Sequence, residues 1–192
     1  MTNGTTHHRK PAGLRWVLVL CLLLPMQVMV GQAATPEYTL KAALLFKLSN
    51  FVEWPARQRA TAAFSLCVLG DDVFDDALQQ LSGRKVRQRP VRVEYFDHSD
   101  AIGAPCHILF ITESKQPFID DILGQLEHPG TLTVSDIEDF ADQGGMIEFT
   151  YAERKIGFRI NLQAARDAGL SIAAPLLELS SVTTSSRDGD HP

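Results

Sequence analysis

Hydrophobic positions along the chain change their spacing from segment to segment, alternating between the periods of a helix and of a strand. Apolar residues recur at intervals of three and four over residues 38–54, which predicts an amphipathic helix that ends before Pro55. Short runs of apolar and β-branched residues predict strands at 64–69, 91–96, 107–112 and 131–134. The 91–96 run alternates with polar residues, so we expect one of its faces to meet water.

Helices are predicted between these strands. Asp71 and Asp72 open a helix that Ser82 and Gly83 end, and a second helix covers residues 118–126. Ser135 and Glu138 match a capping box and predict a helix that ends before Gly144. Residues 146–151 and 155–160 alternate as a hairpin, and two helical segments follow at 162–168 and 172–179.

Alternating strands and helices predict an α/β fold: a mainly parallel open sheet flanked by helices on both faces, with a C-terminal antiparallel hairpin. Right-handed crossovers and a 2-1-3 strand order set the 64–69 strand beside the 107–112 strand. This neighbourhood brings Cys67 and Cys106 close to each other.

The N-terminus has the pattern of a secretory signal peptide. Residues 7–10 and Arg15 are basic, residues 16–30 are almost continuously apolar, and Ala33 and Ala34 offer a cleavage site. The apolar run is short for a membrane span, although a retained N-terminal anchor is the alternative. We therefore expect residues 1–34 to be removed and the protein to be exported.

The mature chain is acidic. Removing Arg9, Lys10 and Arg15 leaves 15 basic against 23 acidic residues, a net charge of −8, which argues against a nucleic-acid partner. Residues 35–180 suit a single domain with its own core, and residues 181–192 have the composition of a flexible tail.

Cys67 and Cys106 remain after cleavage. In an oxidising compartment the pair is a candidate disulfide, whose loop would disfavour the unfolded chain by about 4 kcal/mol. The alternative is two reduced, buried thiols that act as small hydrophobic residues.

Polar residues at strand ends are the candidates for binding. Asp71 and Asp136 follow predicted parallel strands at the carboxyl edge, where ligands bind in open sheets, but helix capping also explains them. Arg159, Asn161 and Arg166 could face an acidic ligand or partner, and surface salt bridges are the alternative.

Catalysis finds no support in the sequence. The chain has no phosphate-binding glycine loop, no nucleophile elbow and no metal-ligand spacing of histidines. His107 adjoins Cys106, but neighbouring strand residues point to opposite faces and cannot form a dyad. We therefore predict no enzyme activity, no metal and no cofactor.

Several segments together resemble the YfiR/HmsC-like family of exported bacterial proteins. They are EYTLKAALLFK at 37–47, FVEWP at 51–55, SLCVLG at 65–70, CHILFI at 106–111, LTVSD at 132–136, Phe140 with GGMI at 144–147, IGFRINL at 156–162, AAR at 164–166 and AGL at 168–170. The likeness spans residues 38–179, and its specificity comes from the order and spacing of the segments.

The resemblance implies a periplasmic repressor without enzymatic activity. Members of the family bind the periplasmic sensing region of an inner-membrane diguanylate cyclase, and release by a redox change or an outer-membrane lipoprotein raises cyclic di-GMP and promotes biofilm. Cys67 and Cys106 fall on cysteine positions of the family, while a second disulfide of some members has no cysteines here.

Two hypotheses follow. The first is a cyclase-binding repressor, a homodimer whose apolar binding surface includes the terminal helices and for which Phe46, Phe51 and Trp54 are candidates. The second is a periplasmic small-ligand-binding protein that serves a transporter or sensor, with Asp71, Asp136 and Arg159 lining its pocket.

Overall fold

The structure is a computed structural model that describes residues 1–4, 36–102, 106–126, 129–152 and 155–183. The fold below is that of the compact unit Ala33–Pro192. The predicted signal peptide, beyond its first four residues, and residues 184–192 of the predicted tail lie outside the described residues.

Strands and helices alternate as the sequence pattern predicts. The strands are β1 (Val52–Glu53), β2 (Phe64–Leu69), β3 (Lys85–Val86), β4 (Arg89–Phe96), β5 (Ile108–Ile111), β6 (Leu132–Ser135), β7 (Ile147–Ala152), β8 (Lys155–Asn161), β9 (Ser171–Ile172) and β10 (Ser181–Thr183). The α-helices are α1 (Pro36–Leu48), α2 (Ala56–Arg59), α3 (Asp76–Gln79), α4 (Ile119–Gln125), α5 (Leu162–Asp167) and α6 (Ala174–Glu178). Ser99–Ala101 and Glu113–Phe118 are 3-10 turns.

The described residues form one eight-stranded sheet in the order β10-β8-β7-β6-β5-β2-β4-β3. Strands β4, β2, β5, β6 and β7 run parallel, while β7–β8 is an antiparallel hairpin and β3 adds antiparallel to β4. The predicted fold class is therefore confirmed. Ser181–Thr183 pair with β8, so the first residues of the predicted tail belong to the sheet.

Each face of the sheet has its own hydrophobic core. On one face α1 packs Leu45 and Leu48 into a cluster with Phe64, Phe110 and other alternate strand residues. On the other face α4 packs against a cluster built on Leu69, Leu109 and Phe140. The sheet is covered on both sides because its parallel strands are apolar on both faces.

A disulfide joins β2 to the segment that precedes its neighbour β5. Strand β2 lies between β4 and β5, as predicted, and Cys67 in β2 bonds Cys106, which precedes β5. Their Cα atoms are 5.9 Å apart, within the usual range for a disulfide. Both cysteines are buried in the core on the α4 face. The pairing anticipated from the strand order is confirmed.

Two helices predicted near the ends of the domain are shorter than expected. The first helix ends at Leu48, because Ser49 donates its hydroxyl to the carbonyl of Phe46 and Val52 then turns into β1. Residue Ile172 pairs with Val52 in a separate antiparallel ladder, so the predicted helix at 172–179 is wrong at its start. Helix α6 begins only at Ala174, with Pro175 in its first turn.

The helix predicted from the capping box does not form. Ser135 closes β6 and accepts the N–H of Ile137 rather than that of Glu138, while its hydroxyl donates to the carbonyl of Ile111. The following segment is a loop of turns in which Asp139 has a φ of 59°, outside the helical region. The local capping signal is overridden by the neighbouring strand.

A buried histidine lies beside the disulfide but faces the opposite core. The ring of His107 stacks on Phe64 at 4.5 Å between centroids, and its Nδ1 accepts the N–H of Ser65. Its Nε2 therefore carries the hydrogen and donates to the carbonyl of Gln58, which also accepts from Arg89. Burial lowers the pKa of His107, and Arg89 lowers it further against the opposing effect of the Gln58 hydrogen bond.

The first prediction concerns the disulfide. Because the bond joins residues 39 positions apart, reduction or the Cys67→Ser/Cys106→Ser double substitution is expected to lower the free energy of unfolding by about 4 kcal/mol. Urea unfolding of the wild type with and without reductant measures this difference. The double variant is the control, since its midpoint has to be the same in both buffers; equal midpoints for the oxidised and reduced wild type would contradict the prediction.

The second prediction concerns His107. The pKa of His107 is lower in the folded protein than in the unfolded chain. As the pH falls, the unfolded chain therefore takes up the proton at a higher pH than the folded protein does. The free energy of unfolding is expected to decrease below the pKa of the unfolded chain, about 6.5. The expected slope approaches about 1.4 kcal/mol per pH unit in that window, and His107→Gln is expected to remove it.

Urea unfolding between about pH 6.5 and pH 5.5 measures the slope, since most carboxylates titrate below this window. His98→Gln is the matched control, because His98 is exposed and its substitution is expected to leave the slope unchanged. A wild type and a His107→Gln variant with the same pH dependence would refute the assignment.

Candidate functional site

The carboxyl ends of β2, β5 and β6 lie along the same edge of the sheet, as predicted. The turn after β2 is tied to the turn after β5, because Thr112 donates to the carbonyl of Leu69 and Ser114 accepts the N–H of Asp71. Gly70 has a φ of +107°, and a Cβ there would collide with the hydroxyl of Thr112. Asp71 itself is exposed, and its neighbour Asp72 accepts the N–H groups of Phe74 and Asp75 as a turn residue.

Asp136, directly after β6, contacts the first turns of α1 instead of capping a helix. Its Oδ2 accepts the hydroxyl of Tyr38 at 2.9 Å and the ammonium of Lys41 at 2.6 Å. Lys41 also pairs with Glu37 at 2.5 Å. The side chains of Lys41 and Asp136 are only 5% and 9% exposed, so this is a buried ion pair. Burial, and then the charge of Asp136, raise the pKa of Tyr38 well above its ordinary value.

A cavity of about 390 Å³ opens beside this ion pair, and we call it the Asp136 cavity. Its lining combines acidic and aromatic side chains with the α1 residues: Glu37, Tyr38, Lys41, Glu113, Gln116, Asp136, Ile137, Glu138, Phe149 and Tyr151. A neighbouring cavity of about 330 Å³ shares Asp136 and Tyr151 and reaches Arg159. The structure thus brings two of the predicted site residues, Asp136 and Arg159, to one cavity.

Arg159 is held by three carboxylates on the α4 face of the hairpin. It pairs with Glu148 across the β7–β8 ladder at 3.2 Å, with Asp139 at 3.0 Å and with Asp142. Hydrogen bonds to Asp139 and Asp142 raise its pKa further above its ordinary value, although partial burial opposes them. Glu148 is buried and also accepts the N–H of Ala141. These contacts hold the loop after β6 in place.

Asn161 has a structural role within the same region. Its side chain is fully buried, donates to the carbonyl of Ala141 and caps α5 by accepting the N–H of Ala164. Arg166 is exposed in the last turn of α5 and does not line either cavity. Asp71 likewise stands apart from the cavity lining.

Sequence reasoning missed Lys41, Tyr38 and Glu148 as partners of the predicted residues. Lys41 shares the inward face of α1 with Leu45 and Leu48, and a lysine at that spacing signals a buried charge that needs a carboxylate. Glu148 alternates with Ile147 and Phe149 and therefore points to the opposite core. The sequence contains no local signal for its pairing with Arg159.

The aromatic candidates for a partner surface have unequal exposure. Trp54 is buried and donates its indole N–H to the carbonyl of His107, so it belongs to the core. Phe46 and Phe51 are half-buried against the same core, and Arg84 lies over the ring of Phe46. The more exposed apolar side chains among the described residues include Leu40, Phe118, Tyr151 and Leu179.

Two features are absent from the described residues. None of the helices found there has the length and apolar character needed to cross a membrane. Among the same residues no three His, Cys, Asp or Glu side chains are grouped closely enough to hold a metal ion.

The fold and its edge cavities define a mixed α/β domain built around a disulfide-linked, mainly parallel sheet. The model of the YfiR/HmsC-like family matches residues 38–181, and the chain therefore belongs to this family. No significant match is found among curated proteins.

A solved structure gives independent support for the fold. The chain is similar to the crystal structure of a conserved domain protein from Vibrio cholerae O1 biovar El Tor strain N16961, with a TM-score of 0.53 and 12% sequence identity. The alignment covers 80% of this chain and 62% of that one, so this chain matches less than two thirds of the other protein's length.

The third prediction concerns Arg159. Its substitution by Ala leaves the buried carboxylate of Glu148 without its guanidinium, and the expected loss in free energy of unfolding is about 3 kcal/mol. Asp142→Asn is the matched control: its side chain is 47% exposed, and the expected loss is below about 1 kcal/mol.

Urea unfolding at neutral pH compares the two variants. The double variant Arg159→Met/Glu148→Gln removes both charges, and it is expected to recover part of the loss because no buried charge is left unpaired. Equal stability of Arg159→Ala and Asp142→Asn would show that the pair with Glu148 does not hold the loop.

Proposed function

We propose that the protein is a periplasmic negative regulator that binds the periplasmic sensing region of an inner-membrane diguanylate cyclase and restrains cyclic di-GMP synthesis and biofilm formation. The observation that carries this proposal is the family match, which spans residues 38–181 and thus nearly the whole described domain. The cyclase partner and the localisation of this chain are parts of the proposal. An outer-membrane lipoprotein that releases the repressor, and a homodimeric state, are further parts of it.

The outer face of α1 supports a role in protein binding. Leu40 is 49% exposed, Ala43 is exposed and Leu44 is half-buried, and Lys47 continues the same face at helical spacing. A partner that covers this apolar stripe would remove it from water, which is the usual source of affinity at protein interfaces. In the C-terminal part of the chain Leu179, just after α6, is 74% exposed.

The rigid frame behind this face also supports the proposal. Helix α1 packs its inner residues Leu45 and Leu48 on the sheet and is fixed at its start by the Lys41–Asp136 ion pair. The sheet is cross-linked by the disulfide under its opposite face. A surface that is fixed before binding loses less conformational freedom when the partner binds.

The fourth prediction tests the repressor function. Deleting the gene is expected to raise cellular cyclic di-GMP and biofilm, and deleting the cyclase as well is expected to abolish the increase. Mass spectrometry of cyclic di-GMP in the three strains measures the effect. A deletion strain with an unchanged cyclic di-GMP level would contradict the proposal.

Complementation then tests the surface. Leu40→Glu places a charge in the proposed interface, so it is expected to fail to restore repression while leaving the core intact. Phe118→Glu is the matched control, because Phe118 is similarly exposed but lies outside the terminal helices, and it is expected to restore repression. Equal repression by both variants would place the interface elsewhere.

A further inference from the structure

One buried carboxylate oxygen of Asp136, a residue that lines the Asp136 cavity, has no hydrogen-bond partner among the described residues. Oδ2 of Asp136 accepts from Tyr38 and Lys41, whereas Oδ1 accepts from none of the described groups although the side chain is only 9% exposed. A buried acceptor without a donor is unfavourable, and more so when it is charged. A donor from a bound molecule would offset this cost.

The charge of the lining favours a cationic donor. Four carboxylates, those of Glu37, Glu113, Asp136 and Glu138, line the cavity against the single ammonium of Lys41. Lys41 is already neutralised by two of them, at 2.5 Å from Glu37 and 2.6 Å from Asp136. The remaining negative charge therefore lies at the opening of the cavity, where Glu113 and Glu138 are exposed.

The arrangement of these acids favours an organic cation over a metal ion. Metal ions need several ligands that converge on one point, and no cluster of three acidic, histidine or cysteine side chains meets that condition in the described part of the chain. An ammonium group on a carbon chain donates to individual acceptors and does not need acceptors that converge on one point. The apolar side of the cavity, which includes Phe149 and the exposed ring of Tyr151, suits the carbon chain.

We propose that the Asp136 cavity binds a small organic cation with a primary ammonium group. The ammonium donates to Asp136, the carboxylates of Glu113 and Glu138 attract it from the opening, and the alkyl part packs on Phe149 and Tyr151. A cation also binds favourably over an aromatic face, as Lys41 already does 4.4 Å from the ring centre of Tyr38. The cavity volume of about 390 Å³ is within the range of small-ligand sites.

This proposal is independent of the repressor function, because it rests on the cavity alone. Isothermal titration calorimetry of the purified protein with 1,4-diaminobutane tests it, with 1,4-butanediol as a neutral probe of the same length. We expect saturable binding of the diamine, weakened by salt because the charges at the opening are screened, and no saturable binding of the diol. Absence of saturable diamine binding at millimolar concentration would overturn the proposal, as would equal binding of the diol.

Four substitutions test the location of the site, and one of them, Asp71→Asn, is a control. Asp136→Asn is expected to weaken diamine binding about tenfold or more. Glu138→Gln is expected to weaken it only about two- to fivefold, because the carboxylate of Glu138 is exposed. Asp71→Asn removes an exposed carboxylate away from the cavity and is expected to leave the affinity unchanged. If Asp136→Asn does not fold, the affinities of Glu138→Gln and Glu113→Gln decide whether the diamine binds in the Asp136 cavity.

Two further results would overturn the inference. Unchanged affinity in the Glu138→Gln and Glu113→Gln variants would place the diamine elsewhere on the protein. Displacement of the diamine by magnesium at a lower concentration than by a second alkylammonium compound would identify the cavity as a metal site instead.

Discussion

The disulfide between Cys67 and Cys106 is the covalent constraint on the parallel sheet, and it lies in the core under α4. It joins the middle of β2 to the residue that enters β5, so the register of the central parallel pair is held by a covalent bond. Cys106 points into the core under α4, whereas His107 points into the core under α1 and stacks on Phe64. One peptide unit therefore anchors both hydrophobic layers. Parallel strands close only through long crossovers, and this bond holds one such crossover in the folded geometry.

Two ion-pair systems hold the region after β6 from opposite sides. Asp136 is tied to α1 through Lys41, and the loop that follows is tied to the hairpin through Arg159 and Glu148. The backbone groups of Ala141 are satisfied by Glu148 and Asn161, which replace the hydrogen bonds that a helix would have made. These polar residues at the carboxyl edge therefore stabilise the fold. Asp136 retains an unsatisfied buried oxygen and lines a cavity at this edge.

The hydrophobic pattern predicted the parallel strands because strands buried on both faces leave apolar runs such as Ile108–Ile111. The position of β2 beside β5, and with it the disulfide, followed from crossover handedness. The helix predicted from the capping box at Ser135 was wrong, because the hydroxyl of Ser135 donates to the carbonyl of Ile111, a residue distant in sequence. The same limit applies to the site: Asp136 was identifiable from its position after a strand, but its contact with Lys41 depends on how α1 packs.

The two proposed surfaces share helix α1, and this proximity has a thermodynamic consequence. Lys41 lines the Asp136 cavity, while its neighbour Leu40 lies on the outer face that we assign to the partner. A cation that donates to Oδ1 of Asp136 shares this carboxylate with Lys41 and so acts on the contact that fixes the start of the helix. If partner binding requires α1 in its present position, the two events are coupled, and the coupling is reciprocal. The coupling free energy is limited by the difference in ligand affinity between the two positions of the helix. The strength of the Lys41–Asp136 ion pair therefore limits the change in partner affinity that a ligand in the cavity could cause.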